Sequence, residues 1–214
     1  MDDAAHGEDS SSRNGSEVFQ CERGADGRTR IRLTNGSSFF ISAEFADRNG
    51  IQPGLEVSAE LYSAIESNDE EIQAQRKALE LLGRREHTAL ELSRKLKSRG
   101  FSQEASALAL ANLQKSGYLD DKRYAEAWVR SRLKRRPEGY PRLAAGLARK
   151  GVDRKTIAAV LEVMFTEEES EKALAAAAER ILRRGAADET SLLRKLTNLG
   201  FSYRQAKNHL QKLQ

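Results

Sequence analysis

Residues able to do chemistry are sparse in this 214-residue chain, and none of them gather into a recognisable constellation. The three histidines, His6, His87 and His209, lie far apart, one in a polar N-terminal stretch and two in helix-forming sequence, where they read as exposed helical side chains. The single cysteine, Cys21, excludes an internal disulfide framework and a cysteine-built zinc site, fits a reducing cytoplasm, and reads as a packing residue in a strand. The acidic pair Asp120-Asp121 opens a helix, where free N–H groups and the helix dipole stabilise carboxylates without a metal. Gly24-Ala25-Asp26-Gly27 has glycines but lacks the strand-to-helix context of a phosphate-cradling loop. No catalytic site, metal site or cofactor is expected, and the chain reads as a binding protein rather than an enzyme.

What remains is charge, and its distribution is uneven. The formal net charge is +4. Residues 1–70 hold 6 Lys+Arg against 14 Asp+Glu, a net of −8, whereas residues 71–214 hold 30 against 18, a net of +12. In the basic part Arg94, Lys95 and Arg99 crowd one helix, and Arg194 and Lys195 recur at the positions that match Arg94 and Lys95. Between them stand Arg132, Lys134, Arg135, Arg136, Arg142, Arg149, Lys150 and Lys155, and Arg183-Arg184 ends a helix as Arg135-Arg136 does. Singly, such cations are accounted for by helix C-termini and solvated faces. Their summed excess implies an extended basic surface for an acidic partner, nucleic acid or an acidic protein groove.

The elements that must position these groups follow from pattern. Hydrophobic residues make up 39% of the chain and charged residues 32%, above the roughly 25% usual for a globular protein. No apolar run approaches the roughly 20 residues of a membrane span, and the acidic N-terminus is not a signal peptide. Residues 1–14 are polar, small and acidic and read as a disordered tail. Residues 15–68 read as a small β-rich unit of three or four strands with a short helix near Ala43 to Arg48. Asn35-Gly36 between β-prone runs predicts a two-residue hairpin turn with both residues at positive φ. Beyond Asp69 the composition is helical, and the only prolines of the chain are Pro53, Pro137 and Pro141.

The helical part repeats. Segments 92–114, 143–165 and 192–214 align without a gap. Leu92, Leu143 and Leu192 match, as do Leu96, Leu147 and Leu196, four residues on, forming a buried helical stripe. Gly100, Gly151 and Gly200 match and suit the left-handed residue that closes a helix; Ser102, Asp153 and Ser202 then suit the N-cap of the next one. Leu110, Leu161 and Leu210, then Leu113, Met164 and Leu213, line that helix's inner face. A further helix precedes each pair, near 70–84, 121–135 and 167–184, with Asp120 as cap of the middle one and capping-box patterns at Thr88 to Glu91 and Thr166 to Glu169. The expected fold is mainly α: three tandem three-helix repeats (69–116, 117–165 and 166–214) in an elongated, curved array after the β-rich unit.

The stretch GYLDDKRYAEAWVRSR at 117–132, followed by Gly139, Arg142-Leu143, Leu147 and Lys150-Gly151-Val152, closely resembles the RecX family of RecA regulators. Arg85, Thr88, Glu91-Leu92 and Lys95-Leu96 resemble the signature of the family's first unit. The resemblance covers about 75–214, is most specific from Gly117 to Gly151, and marks Gly117, Tyr118, Leu119, Asp120, Asp121, Tyr124, Trp128, Gly139 and Gly151 as structural or inter-repeat positions. It departs at Gly146, beside Ala145, where an acidic residue is common and where glycine costs a helix about 1 kcal/mol. What the resemblance implies is a cytoplasmic, monomeric modulator that binds the RecA filament on DNA and restrains its ATP hydrolysis, strand exchange and co-protease activity in homologous recombination, DNA repair and the SOS response. It further implies weak, salt-dependent binding to single- and double-stranded DNA through the basic face. The alternative from the residues themselves is a helical protein that binds DNA directly, independently of RecA.

Overall fold

The computed structural model describes residues 15–183, 185 and 188–212; the expected tail at 1–14, His6, Arg184 and Leu213 lie outside the described residues. The described residues are mostly helical, with ten helices and one four-stranded antiparallel sheet. They divide into two units, one running to Leu81 and adding Ser93–Ser116, the other made of Leu82–Leu92 and Gly117 onward.

In the first unit, strands β1 (Ser16–Arg23), β2 (Arg28–Leu33), β3 (Ser38–Ser42) and β4 (Glu56–Val57) pair in the order β3-β2-β1-β4, with helix α1 (Ala43–Arg48) after β3. Period-two alternation decides the faces. Thr29, Ile31 and Leu33 of β2 are buried while Arg30 and Arg32 are exposed. The buried side joins Val18, Ile41, Ala46, Ile51 and Val57 in one core, with Cys21 packed against it. The Asn35-Gly36 turn differs from expectation. Residues 34–37 form a four-residue connection in which only Gly36 has positive φ, and the Asn35 side chain accepts the Ser37 N–H at 3.0 Å. That side-chain turn replaces the left-handed asparagine.

Helix α2 spans Ala59–Leu82 and starts eleven residues before the position expected from the pattern. Its first turns bury Tyr62 and Ile65 in the sheet core, and the Ser58 hydroxyl accepts the Leu61 N–H at 3.2 Å. The polar run that disguises this half of the helix serves the sheet edge. There Asp69 and Asn68 accept the Phe40 and Ser42 N–H groups of β3 at 2.7 and 2.9 Å. Helices α3 (Ala89–Lys97) and α4 (Gln103–Lys115) follow, and in the first unit Glu70 of α2 accepts the Ser102 N–H and hydroxyl at 2.6 and 2.7 Å.

The second unit holds α5 (Asp121–Arg135), α6 (Tyr140–Arg149) and α7 (Arg154–Met164), then α8 (Glu167–Leu182), α9 (Glu189–Asn198) and α10 (Tyr203–Gln211). The first triplet packs around Leu143, Leu147, Val152 and Leu161, and the next around Leu192, Leu196, Phe201 and Leu210. Leu133 and Phe165 pack against both cores. The glycine column does what its position demands: Gly100, Gly151 and Gly200 have φ of 89, 88 and 91°. Ser102, Asp153 and Ser202 cap the helices that follow. Ser202 forms a full capping box with Gln205, whereas Thr166 only accepts the Glu169 N–H.

Candidate functional site

The loop before α3 and the start of α5 are built together within the second unit. Asp120 caps its own helix, accepting the Lys122 and Arg123 N–H groups at 2.8 and 3.1 Å. Asp121 instead turns to α3 and accepts the Ala89 N–H at 2.9 Å, so adjacent carboxylates cap two different helices. Burial pushes the Asp121 carboxyl above its ordinary range, against the lowering effect of that N–H. Asp121→Ala is expected to cost about 1 kcal/mol, the usual worth of a cap, read as a lower urea midpoint at unchanged m-value. Arg123 holds the same corner: its guanidinium donates to Glu86 at 2.6 Å and to the Gly117 and Tyr118 carbonyls at 3.1 and 2.8 Å. Leu119 is buried beneath, while Tyr118 is exposed.

His87 corrects the expectation of an exposed helical side chain. It lies in the loop ahead of α3, only 2% exposed, with Nδ1 3.1 Å from Glu91. His209 is on α10 and half-buried. The Glu91 carboxylate also takes the Lys150 ammonium at 2.7 Å and the Arg85 guanidinium at 3.1 Å. Thr88 accepts the Glu91 N–H and donates its hydroxyl to the Lys150 carbonyl at 2.7 Å. Thr88 to Glu91 is therefore half of a capping box, because the Glu91 side chain is occupied by this network. Burial pushes the Glu91 carboxyl up, but hydrogen bonds from Lys150, His87 and Arg85 outweigh it and hold the pKa at about 2. Burial, and then the Glu91 charge, push the neighbouring Tyr124 phenol up. Lys150 is thus an internal tie between α6 and the loop before α3. Gly151 belongs to the same seam, where an added Cβ would meet Leu90 Cδ2 at 2.6 Å.

The two triplets of the second unit meet backbone to backbone. The Gly139 N–H donates to the Leu199 carbonyl at 2.9 Å. A Cβ on Gly139 would overlap the Gly200 carbonyl and stand 2.8 Å from the Phe201 nitrogen. Beside this contact opens a cleft of about 450 Å³, with Arg136, Arg142, Arg180 and Lys195 around a floor of Pro137, Ala177, Ile181 and Leu199. Glu138 is the one carboxylate among its described lining residues, 4.0 Å from Arg142 and 3.8 Å from Arg132. A second depression shares Glu138 and Arg142 and adds Arg132, Arg149 and Trp128. Gly146 finds its reason here. A Cβ would collide with the Trp128 indole, so the missing side chain seats the ring on the α6 backbone, with the Arg132 guanidinium 4.8 Å from the ring centroid.

Several residues expected on a basic face are therefore brought together: Arg132, Arg136, Arg142, Arg149 and Lys195 line two joined depressions. Others have different surroundings. Lys134 and Arg135 lie at the end of α5, Lys155 at the start of α7 and Arg194 on α9, apart from the cleft lining. Arg183 pairs with Glu179 at 2.6 Å. Arg94, Lys95 and Arg99 belong to the first unit, where Arg99 donates to the Lys95 carbonyl at 2.7 Å and closes α3. Arg180, which donates to the Arg135 carbonyl, is the cleft cation that sequence reasoning missed. A signal existed: the offset of 48 that matches Arg135-Arg136 to Arg183-Arg184 also matches Arg132 to Arg180. Among the described residues no group of His, Cys, Asp and Glu could hold a metal ion, and no helix is long and apolar enough to cross a membrane.

Comparison with known proteins places this architecture. Residues 74–113 match the family description "RecX, first three-helix domain" and residues 120–161 match "RecX, second three-helix domain". A solved structure, "Crystal structure of regulatory protein RecX", superposes with a TM-score of 0.75 at 23% identity, covering 90% of this chain and 97% of that one, which speaks for the fold. The Regulatory protein RecX of Treponema pallidum (strain Nichols) is 34% identical over 125 residues, 58% of this chain and 76% of the relative. That of Pelodictyon phaeoclathratiforme is 34% identical over 144 residues, 64% of this chain and 86% of the relative. With such identity maintained across most of the length of these relatives, the chain belongs to the RecX family.

Proposed function

We propose that this protein is a non-catalytic regulator of RecA, which binds the RecA–DNA filament and restrains its ATP hydrolysis, strand exchange and co-protease activity. The observation that carries the reading is the cationic cleft of the second unit, where Arg136, Arg142, Arg180 and Lys195 gather around a single carboxylate. Four cations converging over an apolar floor favour an acidic, partly apolar partner, which a nucleoprotein filament presents as phosphates and acidic side chains. The cleft is framed by the Gly139–Leu199 backbone contact and by helices α6, α8 and α9, which carry Arg142, Arg180 and Lys195. Family membership supports the same partner. The test is ATP turnover by RecA on single-stranded DNA with increasing amounts of this protein. Turnover is expected to fall at substoichiometric to equimolar ratios; unchanged turnover and strand exchange at every ratio would sink the reading.

A further inference from the structure

The cleft of the second unit holds more than charge. Its rim draws cations from four places in the chain: Arg136 from the loop after α5, Arg142 from α6, Arg180 from α8 and Lys195 from α9. Glu138, with a side chain only 12% exposed, is the one carboxylate among the described lining residues. It stands 4.0 Å from Arg142 and 3.8 Å from Arg132, so its single charge is divided between the cleft and the depression that adjoins it. The nearby Glu179 is taken by Arg183. Among the described residues Arg136, Arg180 and Lys195 pair with no carboxylate. Arg180 donates to the Arg135 carbonyl, which ties its guanidinium at the rim and leaves further N–H donors for a ligand.

Between these cations the lining is apolar. Pro137 and Ala177 are buried, whereas Ile181 and Leu199 are half-buried and keep apolar surface that a ligand could cover. Asn198, exposed at the end of α9, adds a carboxamide that presents a donor and an acceptor together. The volume of about 450 Å³ falls within the roughly 300–1,000 Å³ of sites that hold small molecules. Clustered cations, apolar surface and one amide match three parts of a single class of molecule: contiguous phosphates, a flat ring and the hydrogen-bonding edge of that ring. Arginine takes phosphate oxygens in pairs. An adenine edge offers the amino donor and ring-nitrogen acceptor that an asparagine carboxamide matches. An inorganic anion would use the cations and leave the apolar surface wet, and an apolar ligand would leave the cations unused.

We propose that this cleft binds a free purine nucleoside triphosphate, with Arg136, Arg142, Arg180 and Lys195 on the phosphates, the base against Ile181 and Leu199, and Asn198 at its edge. A nucleic-acid strand spaces its phosphates one to a nucleotide, whereas converging cations favour phosphates joined directly to one another. The inference deepens the regulatory reading, on whose cleft it rests, by giving that cleft a soluble ligand. Binding of the nucleotide needs neither RecA nor DNA, so its failure and the failure of RecA suppression are separate results.

The test titrates the full chain, without RecA or DNA, with ATP carrying an N-methylanthraniloyl label. Trp128, the sole tryptophan, lines the depression that shares Glu138 and Arg142 with the cleft, so energy transfer from its indole to the label reports occupancy. Unlabelled ATP is expected to displace the label at concentrations at least about tenfold lower than tripolyphosphate or adenosine require. Arg180→Glu with Lys195→Glu is expected to weaken ATP binding about tenfold or more. Asn198→Ala is expected to weaken ATP about fivefold and to leave tripolyphosphate unchanged. Absence of saturable transfer, tripolyphosphate as effective as ATP, or equal ATP binding by the charge-reversed variant overturns the proposal. Urea unfolding of each variant separates loss of the site from loss of fold.

Discussion

Gly139→Ala is expected to lower the unfolding free energy by about 3 kcal/mol, or to undock α8–α10 from α5–α7 altogether. The reason is steric and local. Gly139 has φ −74°, a conformation any residue adopts, so alanine brings no conformational penalty of its own. What it brings is a methyl group inside the Gly200 carbonyl and against the Phe201 nitrogen, both backbone atoms that no rotamer change can move. The Gly139 N–H to Leu199 carbonyl bond would be lost with the contact. Gly117→Ala provides the comparison. Gly117 has φ 73° but open space around its Cβ position, so its replacement costs about 1 kcal/mol from conformation alone. Urea unfolding of the two variants should therefore differ by about 2 kcal/mol, with Gly139→Ala the worse. Equal effects would mean that the close approach of the two triplets is not a determinant of stability.

Glu91→Gln is expected to cost about 2 kcal/mol at neutral pH, after allowance for the partial exposure of Arg85 and Lys150. The sign follows from the folded carboxyl, whose pKa of about 2 lies below its ordinary 4.5. A depressed carboxyl contributes stability that is fully present above about 4.5 and is lost as pH falls toward 2. The parent protein should thus lose this increment between those pH values, and the gap between it and Glu91→Gln should close over the same window. Thermal or urea unfolding at stepped pH measures both. A gap that stays constant down to pH 2 would mean that the Glu91 charge is not what Lys150, His87 and Arg85 stabilise.

The helical repeat is legible in one dimension because each of its columns meets a backbone-level demand with few chemical solutions. A helix ending in left-handed geometry wants glycine, and Gly100, Gly151 and Gly200 all have φ near +90°. An N-cap wants a short side-chain oxygen, and Ser102, Asp153 and Ser202 supply it. What stays hidden is set by partners distant in sequence. Glu91 and Lys150 are 59 residues apart, and nothing local shows that Lys150 is an internal tie rather than a free cation. His87 misleads too: it stands in the loop before α3 rather than on a helix, and is 2% exposed beside Glu91. The first half of α2 is obscured by a polar run whose carboxamide and carboxylate satisfy the edge of β3, a long-range role that resembles a loop when only the sequence is read.

Arg180 shows how repeat and structure complement one another. It shares a column with Arg132, yet only the fold places it in one cleft with Arg142 and Lys195. The regulatory reading rests on that convergence. RecA ATP turnover on single-stranded DNA measures it when the parent protein and the triple variant Arg142→Glu, Arg180→Glu, Lys195→Glu are titrated side by side. The three cations lie outside the buried cores, but Arg180 also donates to the Arg135 carbonyl and Arg142 pairs with Glu138, so urea unfolding of both proteins accompanies the titration and separates loss of the surface from loss of fold. The parent is expected to suppress turnover near equimolar ratio, and the variant to need at least about ten times more protein for the same effect, the difference shrinking as salt is raised. Equal suppression by the two proteins at every ratio would contradict this and move the regulatory surface away from the cleft.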